Sequence, residues 1–276
     1  MREQRRQVKK ISEIATSINI FVVITATVFL IVAPDSPAAG LSDSSFQKEP
    51  KWQIYIPTYV WAAGAEGTTS TLPTFPAGDV DMSFSDSLSA LKDLDGALVA
   101  TVFAKKDRFL LVGDLGWTRL SPTQSVPING DALKLKLLSE TFTLMAAAGY
   151  RLVDNQGVFI DAFAGAKLWY MDNSASVKPT VVTPSKVERK ETWIDGVVGG
   201  HIKFKINDDF FVDAMGTVGA GGSKFYADTY GGVVYRINER WDVFAGYRSM
   251  SVEYENGWFL YDITQDGPVF GMAASF

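Results

Sequence analysis

The sequence contains no cysteine, one histidine (His201) and 11 prolines in 276 residues. Without cysteine there is no disulfide scaffold, and a single histidine without cysteine excludes the usual zinc ligand sets. Basic charge is also short: 26 Lys and Arg against 31 Asp and Glu give a net charge of −5, which offers no footprint for nucleic acid. Only one stretch is long and apolar enough to approach a bilayer span, so a bundle of membrane helices is excluded. The high apolar content, 47%, excludes a disordered chain. What is abundant is aromatic residues (13%) and glycine (24 residues) in a chain whose mean hydropathy is close to zero, +0.06.

Residues 1–38 differ from the rest. Arg2, Arg5, Arg6, Lys9 and Lys10 precede the apolar run Ile18–Ala33, and Ser36 and Ala38 then supply a small-residue cleavage site. This is the layout of a secretory signal peptide, although an uncleaved anchor is the alternative. Its removal takes five of the 26 basic and three of the 31 acidic residues, leaving 21 and 28 and a net charge of −7. Residues 39–51 read as a short linker. An exported, acidic chain fits a Gram-negative envelope.

From Trp52 onward the hydrophobic period is two. In residues 193–206, Ile194, Val198, Ile202, Phe204 and Ile206 share one face, while Asp195, His201, Lys203 and Lys205 share the other with Val197. The same alternation recurs in 156–171, 224–237 and 268–276. Strands are expected at 52–63, 94–105, 108–120, 131–152, 156–171, 191–206, 209–221, 224–237, 240–254 and 258–276. Their connectors alternate in kind. Lys106-Asp107, Val153 to Asn155, Asn207-Asp208 and Asn238-Glu239 are tight and polar. The intervening connectors include the long segments 65–93, 121–130 and 172–190, although those near 222–223 and 255–257 are short. Short turns on one side and longer loops on the other are the mark of a transmembrane β-barrel. Phe109, Tyr150, Phe159, Phe210, Tyr235 and Trp241 fall near the tight turns, and Trp117, Tyr170, Tyr254 and Trp258 near the opposite ends, as two aromatic belts require.

The expected fold is therefore an all-β, antiparallel up-and-down transmembrane barrel of about ten strands, eight being the alternative. A short helix is expected in the first extracellular loop, where Ser83 and Asp86 fit a capping box and Phe84, Leu88 and Leu91 share a helical face. Asp79, Asp81, Asp86, Asp93 and Asp95 crowd that loop without calcium-binding spacing and read as solvated acids. Bridging of this loop to lipopolysaccharide phosphates by divalent ions is a weaker alternative. The terminal Phe276, with Ala274, Met272 and Phe270 before it at alternate positions, matches most of an outer-membrane assembly signal, with alanine third from the end instead of an aromatic.

A further set of residues carries a family resemblance: Trp61 with Gly64 and Gly67, Asp79 to Asp86 (DVDMSFSD), Leu94 to Leu98 (LDGAL), Ala148 to Arg151 (AGYR), Trp193 to Asp195, Arg240-Trp241, Ala245 to Arg248 (AGYR) and Gly267-Pro268. From Trp52 to Phe276 the chain resembles the small outer-membrane barrels of the outer-membrane protein A-like superfamily, and more narrowly a group of uncharacterised proteobacterial outer-membrane barrel proteins. The resemblance implies fold and location, the bacterial outer membrane, and no activity.

The parity of the strands assigns a lumen polar network to Asp114, Arg151, Asp161, Lys167, Asp195, His201, Lys203, Asp213, Asp228, Arg236 and Arg248. Both signs are interspersed, so the set reads either as salt bridges filling a small barrel or as the lining of a narrow, porin-like pore. His201 invites comparison with outer-membrane proteases and lipid A-modifying enzymes, but no nucleophile motif accompanies it. No catalytic, cofactor-binding or metal residues are assigned, and no cofactor is expected. Expected partners are outer-membrane lipid and lipopolysaccharide, with the barrel-assembly machinery during insertion, no nucleic acid and an extracellular ligand of unknown kind. Three readings stand: a structural or surface-interaction barrel without catalysis, a channel for small solutes or ions, and an envelope enzyme.

Overall fold

The computed structural model describes residues 51–72, 77–86, 94–121, 123–128, 131–155, 157–178 and 185–276. The expected signal peptide 1–38 and all but the last residue of the 39–51 linker lie outside these residues. The chain forms β1 (Gln53–Trp61), β2 (Gly64–Ser70), β3 (Gly78–Met82), β4 (Leu94–Lys106), β5 (Phe109–Leu120), β6 (Thr123–Ile128) and β7 (Asp131–Asn155). These are followed by β8 (Val158–Lys178), β9 (Ser185–Lys205), β10 (Phe210–Gly221), β11 (Phe225–Arg236), β12 (Trp241–Asn256) and β13 (Phe259–Ser275).

Ten of these strands, in the order β1-β4-β5-β7-β8-β9-β10-β11-β12-β13, close on themselves through an antiparallel β1–β13 ladder. That ladder runs from Tyr55 opposite Ser275 to Trp61 opposite Val269, and Ile54 and Phe276 exchange backbone hydrogen bonds of 3.0 and 2.9 Å beyond it. The eight-strand alternative is thereby excluded. Each strand has a neighbour on both sides, which is what a lipid environment demands of backbone amides.

Two expected loops contain further strands. Within 65–93, β2 continues the path of β1 along β13 after a break at Ala62-Ala63, and β3 folds back on β2. Asp79 and Asp81 are therefore strand residues. Within 121–130, β6 pairs with the start of β7. The sequences of β2 and β6 are polar and alternation-poor, and the alternation of β3 is confined to Asp79–Met82; their hydrogen bonds come from β13, β7 and, for β3, from β2. The helix in the first loop is one turn, Phe84–Asp86, and Leu88, Leu91 and Asp93 lie outside the described residues. Its capping box is formed: Ser83 N–H donates to Asp86 at 3.0 Å, and Asp86 N–H donates to Ser83 Oγ at 3.3 Å. Hydrogen bonds from Ser83 hold the Asp86 carboxyl below the usual carboxylate range.

Strands β7, β8 and β9 are 25, 21 and 21 residues long, against the roughly 9–11 that cross a bilayer. The expected turn at Val153–Asn155 is still strand, and the expected loop 172–190 is mostly the extended β8–β9 hairpin. Beyond the barrel wall β6, β7, β8 and β9 continue as a four-stranded sheet, bounded on one side by β6 and on the other by Ser185–Ile194 of β9.

Parity sorts the side chains. Ile194, Val198, Ile202, Leu144, Val212, Val233, Phe270 and Met272 are exposed on the outer surface, where a membrane barrel meets lipid. Phe109, Tyr150, Phe210, Tyr235 and Trp258 are exposed too. Two belt assignments are corrected. Tyr254 is buried and stacks on Trp193 at 3.9 Å, and Phe159 turns inward under Arg151. Both share the parity of inward residues on their strands, which outweighs their position near a strand end. Inside, glycine makes room: a Cβ on Gly199 would lie 2.5 Å from the Phe163 ring. A closed antiparallel barrel with an apolar outer band is a protein of the bacterial outer membrane.

Val198 lies near the middle of the lipid-facing surface, so Val198→Arg is expected to cost about 2–4 kcal/mol in denaturant unfolding from lipid vesicles. The same change at Ile237, in the β11–β12 turn, is expected to cost no more than about 1 kcal/mol.

Candidate functional site

The inward residues form layers along the barrel axis, and strand register decides which of them meet. At the tight-turn end, Arg151 of β7, Asp161 of β8 and His201 of β9 are in adjacent register. Arg151 donates through Nε and Nη2 to the two Asp161 oxygens at 2.7 and 3.0 Å. Such a bidentate pair fixes orientation as well as charge. His201 stands between two carboxylates, with Nδ1 3.3 Å from Asp161 and Nε2 2.9 Å from Asp213, and its ring stacks on Phe103 at 4.9 Å. Both ring nitrogens are thus engaged.

The middle layer joins four charges of zero sum. Arg248 donates through Nε to Asp228 at 2.9 Å and through Nη2 at 2.5 Å, contacts the Tyr59 hydroxyl, and lies 4.8 Å over the Trp61 ring. Lys167 donates to Tyr226 Oη at 2.9 Å, and that hydroxyl donates to Asp228 at 3.1 Å. Asp114 accepts from Thr101 at 2.9 Å and lies 3.9 Å from both Lys167 and Arg248. Lys167 also sits 4.9 Å from the Trp169 ring and 4.7 Å from the Tyr226 ring. All four charged residues are buried. Two cations opposite two carboxylates, with hydroxyls on the remaining lone pairs, meet the condition under which buried charge is tolerated.

Above this layer Trp169, Trp193 and Tyr254 form a stack, with centroid separations of 5.5 and 3.9 Å. Asp195 has a local role. It accepts from Ser223 N–H at 2.7 Å and Ser223 Oγ at 2.8 Å, while Ser223 Oγ accepts from Trp193 Nε1 at 2.8 Å. This pins the β10–β11 turn to β9. Tyr254 and Asn256 both donate to Glu191 at 3.1 Å.

Of the residues assigned to the lumen, Asp114, Lys167, Asp228 and Arg248 meet in the middle, and Arg151, Asp161, His201 and Asp213 meet at the tight-turn end. Asp195 is apart in its turn. Lys203 and Arg236 lie at the tight-turn mouth, both within 5 Å of the Phe211 ring centroid, at 4.9 and 4.5 Å. Sequence reasoning missed Tyr59, Thr101 and Thr217, whose hydroxyls complete the middle network. Only inward parity marked them, because an uncharged hydroxyl carries no other signal.

The interior spaces differ in size. Two cavities in the middle, one beside Tyr59 and Asp228 and the other beside Lys167 and Trp169, hold about 60 and 40 Å³. At the tight-turn mouth a vestibule of about 620 Å³ opens. Tyr55, Phe103 and Asp213 line both this vestibule and the first middle cavity, forming the partition between them.

No protein-family model matches the chain, and no curated protein sequence matches it. Among solved structures, the outer membrane protease OmpT of Escherichia coli is similar at 7% identity and TM-score 0.49, covering 81% of this chain and 97% of that one. The translocator domain of the autotransporter NalP from Neisseria meningitidis is similar at 11% identity and TM-score 0.47, covering 83% and 90%. The attachment invasion locus protein Ail of Yersinia pestis has 12% identity and TM-score 0.35, covering 83% and 99%.

Removing one partner of a desolvated pair strands the other. Asp228→Ala is therefore expected to destabilise the folded barrel by about 3–5 kcal/mol in denaturant titrations. Replacing both members, Asp228→Leu with Arg248→Met, is expected to recover most of that loss.

Proposed function

We propose that the chain is a closed outer-membrane barrel with a structural or surface-interaction role and no catalysis. The observation that carries this reading is the neutral cluster of Asp114, Lys167, Asp228 and Arg248. It crosses the barrel middle and leaves voids of only about 60 and 40 Å³ beside it. A channel requires a continuous wet path of sufficient width, and a neutral, mutually paired network that narrows the lumen to small voids presents a barrier to ions instead. Catalysis is disfavoured on similar grounds: with carboxylates at both ring nitrogens, His201 has no free nitrogen to take a proton from a nucleophile.

The four-stranded β6–β9 sheet is the part suited to contacts outside the membrane. Several of its charges pair with one another, Lys190 with Asp172 at 3.1 Å and with Glu188 at 3.1 Å, which suits a solvated surface. Kinship with the outer-membrane protein A-like superfamily rests on the motifs quoted from Trp61 to Pro268. Outer-membrane lipid and lipopolysaccharide surround the apolar band in this reading. The amino-terminal 38 residues direct export, and Phe276 helps present the chain to the barrel-assembly machinery.

Purified, refolded protein is expected to give no stepped conductance in planar bilayers, whereas the double change Asp228→Ala with Arg248→Ala is expected to open measurable conductance. Regular single-channel steps from the unaltered protein would overturn the closed-barrel reading in favour of the channel.

A further inference from the structure

The vestibule at the tight-turn mouth is a pocket with cations in excess of available carboxylates. Asp161 is taken by Arg151 and His201, and Asp213, the ladder partner of Lys203, turns to His201. Arg236 reaches Asp242 only at 3.6 Å. Lys105 and Lys203 have no carboxylate within 4.0 Å among the described residues. Glu239 also lines the pocket, and no ion pair to it is formed within that distance among the described residues. Lys203 instead lies 4.8 Å from the Tyr55 ring centroid and shares the Phe211 ring with Arg236.

Two like charges gathered at one aromatic ring repel each other, and each ring contact returns only about 0.5–2 kcal/mol. An oxyanion held in the vestibule that both residues line would offset this excess positive charge. Tyr55, Phe103, Phe159 and Phe211 give the wall an apolar, aromatic part beside the polar Gln53, Lys205 and Ser275, and the volume of about 620 Å³ is that of a small-molecule site. Tyr55, Phe103 and Asp213 stand between it and the middle cavity, where the space narrows from about 620 to about 60 Å³. Short turns face the periplasm in such barrels, and the mouth therefore opens there.

We propose that this vestibule binds a small organic oxyanion from the periplasm, a carboxylate or phosphate attached to an apolar body. Lys203 and Arg236 are the charge contacts, and Tyr55 and Phe211 are the apolar wall. The proposal concerns the periplasmic mouth and is separate from the surface role assigned to the β6–β9 sheet.

The test is titration calorimetry of the refolded barrel with two probes, phthalate for the carboxylate arm and phenyl phosphate for the phosphate arm. At least one probe is expected to saturate with Kd of about 1 mM or tighter, and to weaken as salt is raised. Lys203→Gln with Arg236→Gln is expected to weaken binding roughly tenfold or more, while Lys203→Arg retains most of it. Should the double variant lose the heat-dependent gel shift of a folded barrel, each single Gln variant is expected to weaken binding by itself. Lys190→Gln, on the outer sheet, is expected to leave binding unchanged. The proposal fails if neither probe saturates the unaltered protein. It also fails if the folded Gln variants bind as tightly as the unaltered protein.

Discussion

A peptide N–H or C=O without a partner costs several kcal/mol in hydrocarbon, and this one penalty organises the molecule. It requires that every membrane-crossing strand be flanked on both sides, and hence that the sheet return to its own beginning. The β1–β13 ladder is where that requirement is met, with Phe276 and Ile54 holding its end. Once closed, the wall has a lipid side and an interior, and period-two alternation then decides the fate of each side chain. The apolar exterior and the charged interior are two results of one geometry.

Closure also sets the rule for the interior. Charges brought inside a barrel of ten strands must neutralise each other locally, since little space is left for water around them. Register achieves this by aligning Arg151, Asp161 and His201 across three neighbouring strands. In the middle, Lys167 and Arg248 approach from opposite parts of the wall toward Asp114 and Asp228. Among the described residues the balance lapses at the mouth, where solvent can screen what carboxylates do not, and there Lys203 and Arg236 are tolerated against aromatic rings.

Much of this was legible in the sequence because alternation and turn chemistry are local. The ten barrel strands and the inward parity of Asp114, Lys167, Asp228 and Arg248 follow from spacing along each strand, and the up-and-down order follows from the connectors. What was not legible depends on partners. Strands β2 and β6 lack alternation of their own and exist because β13 and β7 extend past the wall to pair with them, and the short β3 pairs in turn with β2. Proximity to a strand end suggested an outward belt position for Tyr254 and Phe159, but parity placed both inside. Which lumen charges meet depends on register between strands, and no single strand encodes that. Thus Asp195 serves a turn while Asp228, equally buried, serves the central cluster.

The closing ladder has a kinetic meaning as well. Thr58 and Met272, which meet across it, are separated by 214 positions, while most other neighbours in the wall are joined by short hairpins. Loop-closure entropy makes this pairing the most remote contact to form and ranks the fold among those of high contact order. During folding the hairpins from β4 to β13 can assemble progressively, but the growing sheet keeps two bare edges until its two ends find each other. For that interval it is an open template for pairing with any other extended chain. A chain with this topology is exposed to mispairing until its ends meet, and that exposure comes from the order in which its contacts become available.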